Sequence, residues 1–465
     1  MHEFLVSAAA FIVLIAVMVV VHEFGHFAIA KLCKVRVEAF SFGFGPRLFG
    51  FKYGDTDYKV CLLPLGGFVK MTGEIPGEEV TLPNSPDLAT SGAAPILDPG
   101  AFSSHPRWQR MLIGVAGPAA NFILAFVLMG FYFAWINEVP DIKVTKLEWV
   151  TPSSVADQSG LHPGDIIRRF DNVDNPDWYT VVESFRNSPN RTVSLTVERN
   201  GQAVQSSLPL AVSPKGKDDN LAHAGIFLED VQSPIVVDQV VSDSPAQKAG
   251  LQVGDAILSA DGHAFHTVTP LLDYLQTGKG KPVTLAVTRK GGAIAPIVVS
   301  PSMQDAAWRL GIMQAQPTEP PSRNQPISLS AAVAESRDFC VENSTMILEM
   351  VKKLVTHQAS MKQLAGPVGI ARVAGQAAET KEWAPKFGLA ASISLNLGIL
   401  NLMPFPILDG GLILLLLIES VIRRDIGVAV KERIYQAAFV VIIAFFAFVI
   451  FNDVTKLPIF THLKP

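Results

Sequence analysis

Two histidines and a glutamate fall within five residues, His22-Glu23-Phe24-Gly25-His26. On a helix, positions i and i+4 project from one face one turn apart, so both imidazoles can reach a single zinc ion. Glu23, next to the first histidine, is placed to take a proton from an attacking water as general base. By chance such a five-residue pattern arises in about one chain of this length in a hundred, so its context decides. Residues 4–21 carry no charge, and the run continues to Lys31. Ionisable groups inside a membrane-length helix are costly unless they have a function. The plainer alternative is a helix end whose polar groups meet cytosolic water, since Glu23 precedes Lys31 by only about 12 Å at 1.5 Å per residue.

A catalytic zinc needs three protein ligands and an open position. The apolar run 387–418 contains one acid, Asp409, within Asn401-Leu-Met-Pro404-Phe-Pro406-Ile-Leu-Asp409-Gly410-Gly411. Two prolines and two glycines break a helix there, and irregular backbone at membrane depth survives only inside protein or along a wet cavity. Asp409 is therefore the candidate third ligand; simple capping of a following helix is the alternative. Histidine and carboxylate donors suit zinc, although iron and cobalt share the set.

The elements that must position these groups follow from hydropathy and charge. The chain has 465 residues, 49% of them hydrophobic and 17% charged, with a net charge of −4. That is several domains' worth of chain with a membrane bias and no sign of nucleic-acid binding. Cys33, Cys61 and Cys340 form no C-x-x-C and cannot all pair within the chain. Four spans are expected, in residues 1–35, 107–137, 387–422 and 428–453. The first lacks a basic leader and a small-residue cleavage site, so it reads as a span rather than a removed signal. Lys31, Lys34, Arg36, Arg107, Arg110, Arg423, Arg424, Lys431 and Arg433 flank the spans. They put both short connections inside and the long middle segment outside, with both termini outside.

Residues 36–73 carry turn signals, Phe42-Gly-Phe-Gly-Pro46 and Leu63-Pro-Leu-Gly-Gly-Phe68, around strand-like stretches, and read as a membrane-associated β-hairpin region. Residues 74–106 read as a flexible cytoplasmic segment. The outer segment repeats itself: Ser154-Val-Ala-Asp-Gln-Ser-Gly-Leu-His-Pro-Gly-Asp165 matches Ser244-Pro-Ala-Gln-Lys-Ala-Gly-Leu-Gln-Val-Gly-Asp255, 90 positions on. The shared pattern A-x-x-x-G-L-x-x-G-D-x-I resembles the PDZ family, specifically its circularly permuted bacterial form. That likeness implies two tandem α+β domains, 138–223 and 224–317. Residues 318–386 are expected to form a linker and an amphipathic helix over 331–358, lying on the outer membrane face or packed on the outer domains. The fold class is thus an α-helical membrane protein of four transmembrane helices with a β-hairpin region and two extracytoplasmic PDZ domains.

H-E-F-G-H in the first span together with N-x-x-P-x-P-x-x-D-G-G in a later one resembles the site-2 protease family of intramembrane metalloproteases, over almost the whole chain. The resemblance implies one zinc ion per chain on His22, His26 and Asp409, with Glu23 as base. It implies that an asparagine holds the substrate strand, for which Asn401 matches and Asn396 is a second candidate. Gly117-Pro118-Ala-Ala-Asn121 matches a second-span motif of that family. A substrate helix must be extended before it is cut, so a β-edge around residues 58–71, including Gly66, Gly67 and Phe68, is proposed to hold it by strand addition; a hairpin that merely plugs the site is the alternative. The implied partners are the lipid bilayer and pre-trimmed membrane proteins, namely an anti-sigma factor and remnant signal peptides, with the outer domains selecting substrates by size. The implied location is the bacterial inner membrane, with termini and PDZ domains in the periplasm and the active site toward the cytoplasm.

Two other function classes fit parts of the chain. A non-enzymatic PDZ scaffold would have no reason to keep four metal-site residues in lipid. A tethered soluble-type zincin would need an amphipathic motif helix and a ligand from a soluble domain, and neither is evident.

Overall fold

The computed structural model describes residues 2–74, 98–186, 190–211, 213, 220–229, 233–290, 292–304, 307–315, 320–356 and 366–455. Most of the segment expected to be flexible, 74–106, lies outside these residues. The chain divides into two compact units, residues 1–138 with 325–465, and residues 139–324.

The first unit is helical. Helix α1 spans His2–Leu32, about 46 Å at 1.5 Å per residue, which exceeds a hydrocarbon core of about 30 Å. It ends because Lys34 adopts a left-handed backbone (φ 64°). The Lys34 N–H then donates to Lys31 O and the Val35 N–H to Ala30 O, the paired bonds of a Schellman stop, sealed by buried Val35 on buried Ala30. Strands β1 (Val37–Tyr53) and β2 (Thr56–Met71) follow. They are more than a hairpin. Phe40 pairs with both Val69 and Tyr58, and Phe49 with Val60, so each strand bends and the two make a curled four-segment sheet in the order 67–71, 37–42, 57–61, 47–53. Its far end exposes Phe44, Leu48, Phe49, Phe51, Leu62 and Leu63.

Helix α2 (Arg107–Phe131) contains Pro118 and closes in a π turn, Tyr132–Ile136. It crosses α1 at a point with no room for side chains: a Cβ on Gly25 would lie 2.3 Å from Ala116 O, the small-residue contact that lets membrane helices approach. After the second unit come α3 (Leu329–Val355) and α4 (Pro367–Glu379). Helix α3 is the amphipathic helix read from the sequence. Its half-buried Phe339, Cys340 and Ile347 pack on Ala125, Met129 and Tyr132 of the second span and on residues of the third. Helix α4, read from the sequence only as linker, packs against α1.

The apolar run 387–418 is two helices, α5 (Ala384–Asn401) and α6 (Asp409–Ile422), before α7 (Val428–Thr455). Among the described residues, three helices are long and apolar enough to cross a membrane, in 5–32, 107–136 and 428–451. The α5–α6 pair is interrupted where the prolines stand. Leu402–Leu408 folds over the start of α6 so tightly that a Cβ on Gly410 would meet Leu402 O at 2.3 Å and one on Gly411 would meet Phe405 O at 2.1 Å. At the other end of α6, fully buried Glu419 accepts from Lys431 Nζ (2.7 Å) and Ile426 N (2.9 Å), fixing the turn into α7.

The second unit is built twice. Ser154 and Ser244 cap one-turn helices, accepting from Asp157 N and Gln247 N. The strands Ile166–Phe170 and Ala256–Ala260 pair antiparallel with Thr192–Arg199 and Val283–Arg289. Arg199 grips both carboxylate oxygens of buried Asp165 (2.7 Å each), and Arg289 does the same to Asp255 (2.7 and 2.8 Å). Apart from the first residue of the last pair of strands, these positions are 90 apart, so the repeat in sequence is a repeat in structure. Each copy has its own apolar core, around Phe170 and Phe185 in one and Phe265 and Leu271 in the other. They are joined by a seam: Trp149 packs edge-on to Tyr274 (5.3 Å) and against Phe265 (5.9 Å), and its indole N–H donates to Asp273 (2.8 Å). In the first copy the helix Asn220–Ala224 inserts Leu221 and Ala224 into the core. The second copy keeps a groove of about 170 Å³ between Val268, Leu271, Leu275 and Gly311–Met313.

Candidate metal centre

Helix α1 presents His22 and His26 on its buried face, 6% and 8% exposed. The start of α6 brings Asp409 to them. His22 Nε2 stands 3.2 Å from His26 Nε2 and 3.1 Å from Asp409 Oδ2, and His26 Nε2 lies 3.4 Å from Asp409 Oδ1. Metal–ligand bonds of about 2.0–2.2 Å in tetrahedral geometry require donor–donor edges of roughly 3.3–3.4 Å. Two histidine nitrogens and the Asp409 carboxylate are thus grouped closely enough that they would hold one zinc ion, the nearer carboxylate oxygen being Oδ2 for His22 and Oδ1 for His26. Asp409 Oδ2 is buried without a hydrogen-bond donor, as a metal-directed carboxylate oxygen would be. Its place at the first residue of α6 adds the favourable positive end of the helix dipole.

The imidazole of His26 is fixed from behind. Its Nδ1 lies 2.8 Å from Ile113 O, so Nδ1–H donates and Nε2 keeps its lone pair for metal. Gly117 provides the space, since a Cβ there would be 2.2 Å from His26 Nε2.

Glu23 lies half-buried beside the ligand group, facing the 67–71 edge of the sheet. A Cβ on Gly67 would sit 3.4 Å from Glu23 Cγ and 2.6 Å from Ser41 O, so only glycine lets the strand come this close. Gly66 has φ +144°, a backbone that disfavours side chains. Phe68 turns to the other side, stacking on Phe44 (6.0 Å) with Lys59 Nζ 5.0 Å over its ring. Asn401, the last residue of α5, puts Nδ2 3.3 Å from His22 Nε2, at the rim of the ligand triangle. Asn396 is five residues earlier, about 140° around the helix, and has no such contact among the described residues.

The structure thus gathers His22, Glu23, His26, Asp409, Asn401 and Gly67 in one place and leaves Asn396 and the Phe68 side chain outside it. Sequence reasoning overlooked what Asn121 touches: it is fully buried on α2, 3.1 Å from His22 Nδ1. An amide in the middle of an apolar span was the available signal. The Ile113 contact comes from backbone and leaves no mark on residue type.

Known proteins resemble this chain along almost its whole length. The model of peptidase family M50 matches residues 10–445. The regulator of sigma-E protease RseP of Salmonella typhimurium is 32% identical over 98% of this chain and the whole of that protein. A putative zinc metalloprotease of Vibrio cholerae is 31% identical and RseP of Escherichia coli 30%, again over 98% of this chain and all of theirs.

Proposed function

The chain belongs to peptidase family M50 and is a zinc metalloprotease of the site-2 type, and on that premise we propose which bonds it cuts and which residues cut them. The substrate is a single-span membrane protein already trimmed outside, an anti-sigma factor or a remnant signal peptide, cut in or near its transmembrane segment. Cleavage releases a cytoplasmic fragment in envelope stress signalling, in keeping with relatives named as regulators of sigma E. The carrying observation is the close grouping of His22, His26 and Asp409, with Glu23 beside it and a glycine-cleared strand edge across from it.

His22, His26 and Asp409 would hold the zinc. When bound, zinc supplies Lewis-acid polarisation of a peptide carbonyl and a water nucleophile at neutral pH. Glu23 accepts the proton of the attacking water and returns it to the leaving amine nitrogen as the C–N bond breaks, so it ends each cycle ionised. The backbone at Gly66–Gly67 pairs with the unwound substrate, and Asn401 donates to its main chain at the other side. Backbone pairing suits a protease whose substrates differ in side chains, and glycines are what allow the strand and its guest to approach Glu23.

The chain sits in the bacterial inner membrane with four spans, the α5–α6 pair forming the interrupted third. Both termini and the duplicated unit face the periplasm, and the metal centre lies toward the cytoplasmic side. His22 and His26 are ten and six residues from the end of α1 at Leu32, about 15 and 9 Å of helix, which supports a site within the membrane near that face. The repeated modules act as PDZ domains that restrict entry by substrate size. A direct test compares a single-span substrate with its intact and its truncated outer domain in proteoliposomes. Chelator-sensitive cleavage of the truncated form alone is expected, and equal cleavage of both would overturn the size filter.

A further inference from the structure

We infer that Asn121 is a positioning residue that sets the tautomer of His22 through its side-chain oxygen, and so tunes the metal affinity of the centre. The inference rests on the metalloprotease reading above and adds a residue to it. His22 can ligate through Nε2 only if the proton of the neutral ring is on Nδ1. The atom of Asn121 placed 3.1 Å from Nδ1 is the amide nitrogen Nδ2, a donor, whereas a ring N–H there requires an acceptor, so the amide has to be turned over. The amide oxygen and nitrogen have the same shape, and which occupies which position is fixed by hydrogen-bond logic. With metal-competent His22, Oδ1 must face Nδ1–H. This matches His26, whose Nδ1–H donates to the carbonyl of Ile113 at 2.8 Å. Both ligating imidazoles are then held by α2, one through main chain and one through a side chain.

Two observations argue that the amide is kept for this purpose and not for packing. Asn121 is 0% exposed, and one of its two polar side-chain atoms finds no partner. An unmet buried polar atom costs about 1–3 kcal/mol, so a leucine or methionine would serve helix packing better. Secondly, the backbone around Asn121 is pinned from the span that leads to the third ligand: fully buried Ser394 on α5 donates its hydroxyl to Asn121 O at 2.8 Å. The backbone that carries the amide is thus tied to α5, the helix that ends at Asn401.

The test uses the full chain in detergent and measures zinc affinity by competition with a chromophoric chelator, alongside thermal unfolding of the metal-free protein. Asn121→Leu is expected to lower zinc affinity roughly 10–100-fold, the usual effect of losing an outer hydrogen-bond partner of a histidine ligand. Its metal-free unfolding temperature should be equal to or above that of wild type. Asn121→Asp keeps an acceptor at the same place and is expected to stay within a few-fold of wild-type affinity. Wild-type affinity in Asn121→Leu, or an equal loss in Asn121→Asp and Asn121→Leu, would overturn the inference. Wild type that takes up no zinc at all would instead remove the metalloprotease reading beneath it.

Discussion

Gly117 of α2 and His26 of α1 meet without space for one more carbon: a Cβ on Gly117 would lie 2.2 Å from Nε2, the nitrogen proposed to bind the metal. Gly117→Ala must therefore displace the imidazole or part the helices. Overpacking of this kind costs about 1–3 kcal/mol, roughly 5- to 150-fold if it falls on zinc binding. Gly130 lies on the same helix, where a Cβ would meet only Ser336 Oγ at 3.5 Å, an ordinary contact. Gly130→Ala is expected to match wild type in bound zinc and in cleavage, while Gly117→Ala loses both. Elemental analysis after chelator challenge reads the difference.

Asp409 offers a second, chemical test of the centre. Asp409→Asn retains shape and removes the charge that two imidazoles and a dication share. Loss of a ligand should exceed the roughly 10–100-fold effect of losing an outer partner, so the variant should not hold zinc against a moderate chelator. Full retention would take Asp409 out of the ligand set and return it to helix capping.

Trp149 joins the two copies of the outer unit. It is 5% exposed, packs on Phe265 and Tyr274, and donates to Asp273. Trp149→Ala is expected to cost about 3–5 kcal/mol and to raise hydrogen exchange on both sides of the seam. Tyr53, 76% exposed, provides the contrast: its replacement by alanine should leave unfolding unchanged.

The repeated Asp–Arg clasp predicts a pH effect. The Arg289 guanidinium, hydrogen-bonded to fully buried Asp255, holds that carboxyl below its usual range. A lowered carboxylate pKa stabilises fully above the value of the unfolded chain, about 4, and the contribution fades as pH falls through the lower folded value. Hydrogen exchange in Ala256–Ala260 should thus be flat from about pH 5 to 8, once corrected for intrinsic rates, and rise below about pH 4. Arg289→Gln removes the clasp, so exchange in that strand should be faster at neutral pH. Unchanged exchange in this variant would count against the clasp as a stabilising contact.

The chemistry was more legible in the sequence than its surroundings were. H-E-F-G-H and the Pro- and Gly-broken segment around Asp409 announce themselves because polar groups and broken helices are costly in lipid. The 90-residue repeat was visible because its turn glycines and capping serines recur in register. What could not be read was contact between elements. Strand signals in 36–73 suggested a hairpin; only pairing of Phe40 on both sides reveals a curled sheet. Helix α4 was hidden in a segment with weak hydropathy. Ile113 and Asn121 became neighbours of His26 and His22 only once α1 and α2 were laid together at Gly25.

The role of Glu23 is open to the most direct measurement. Wild type and Glu23→Gln are reconstituted with a truncated single-span substrate, and zinc content and cleavage are followed in the same preparation. Glu23 is not among the proposed ligands, so the glutamine variant is expected to keep its zinc and to lose cleavage by about 10²–10⁴-fold, the usual worth of a general base. Cleavage by Glu23→Gln at the wild-type rate, with zinc in place, would contradict the assignment of this centre as the site where the peptide bond is broken.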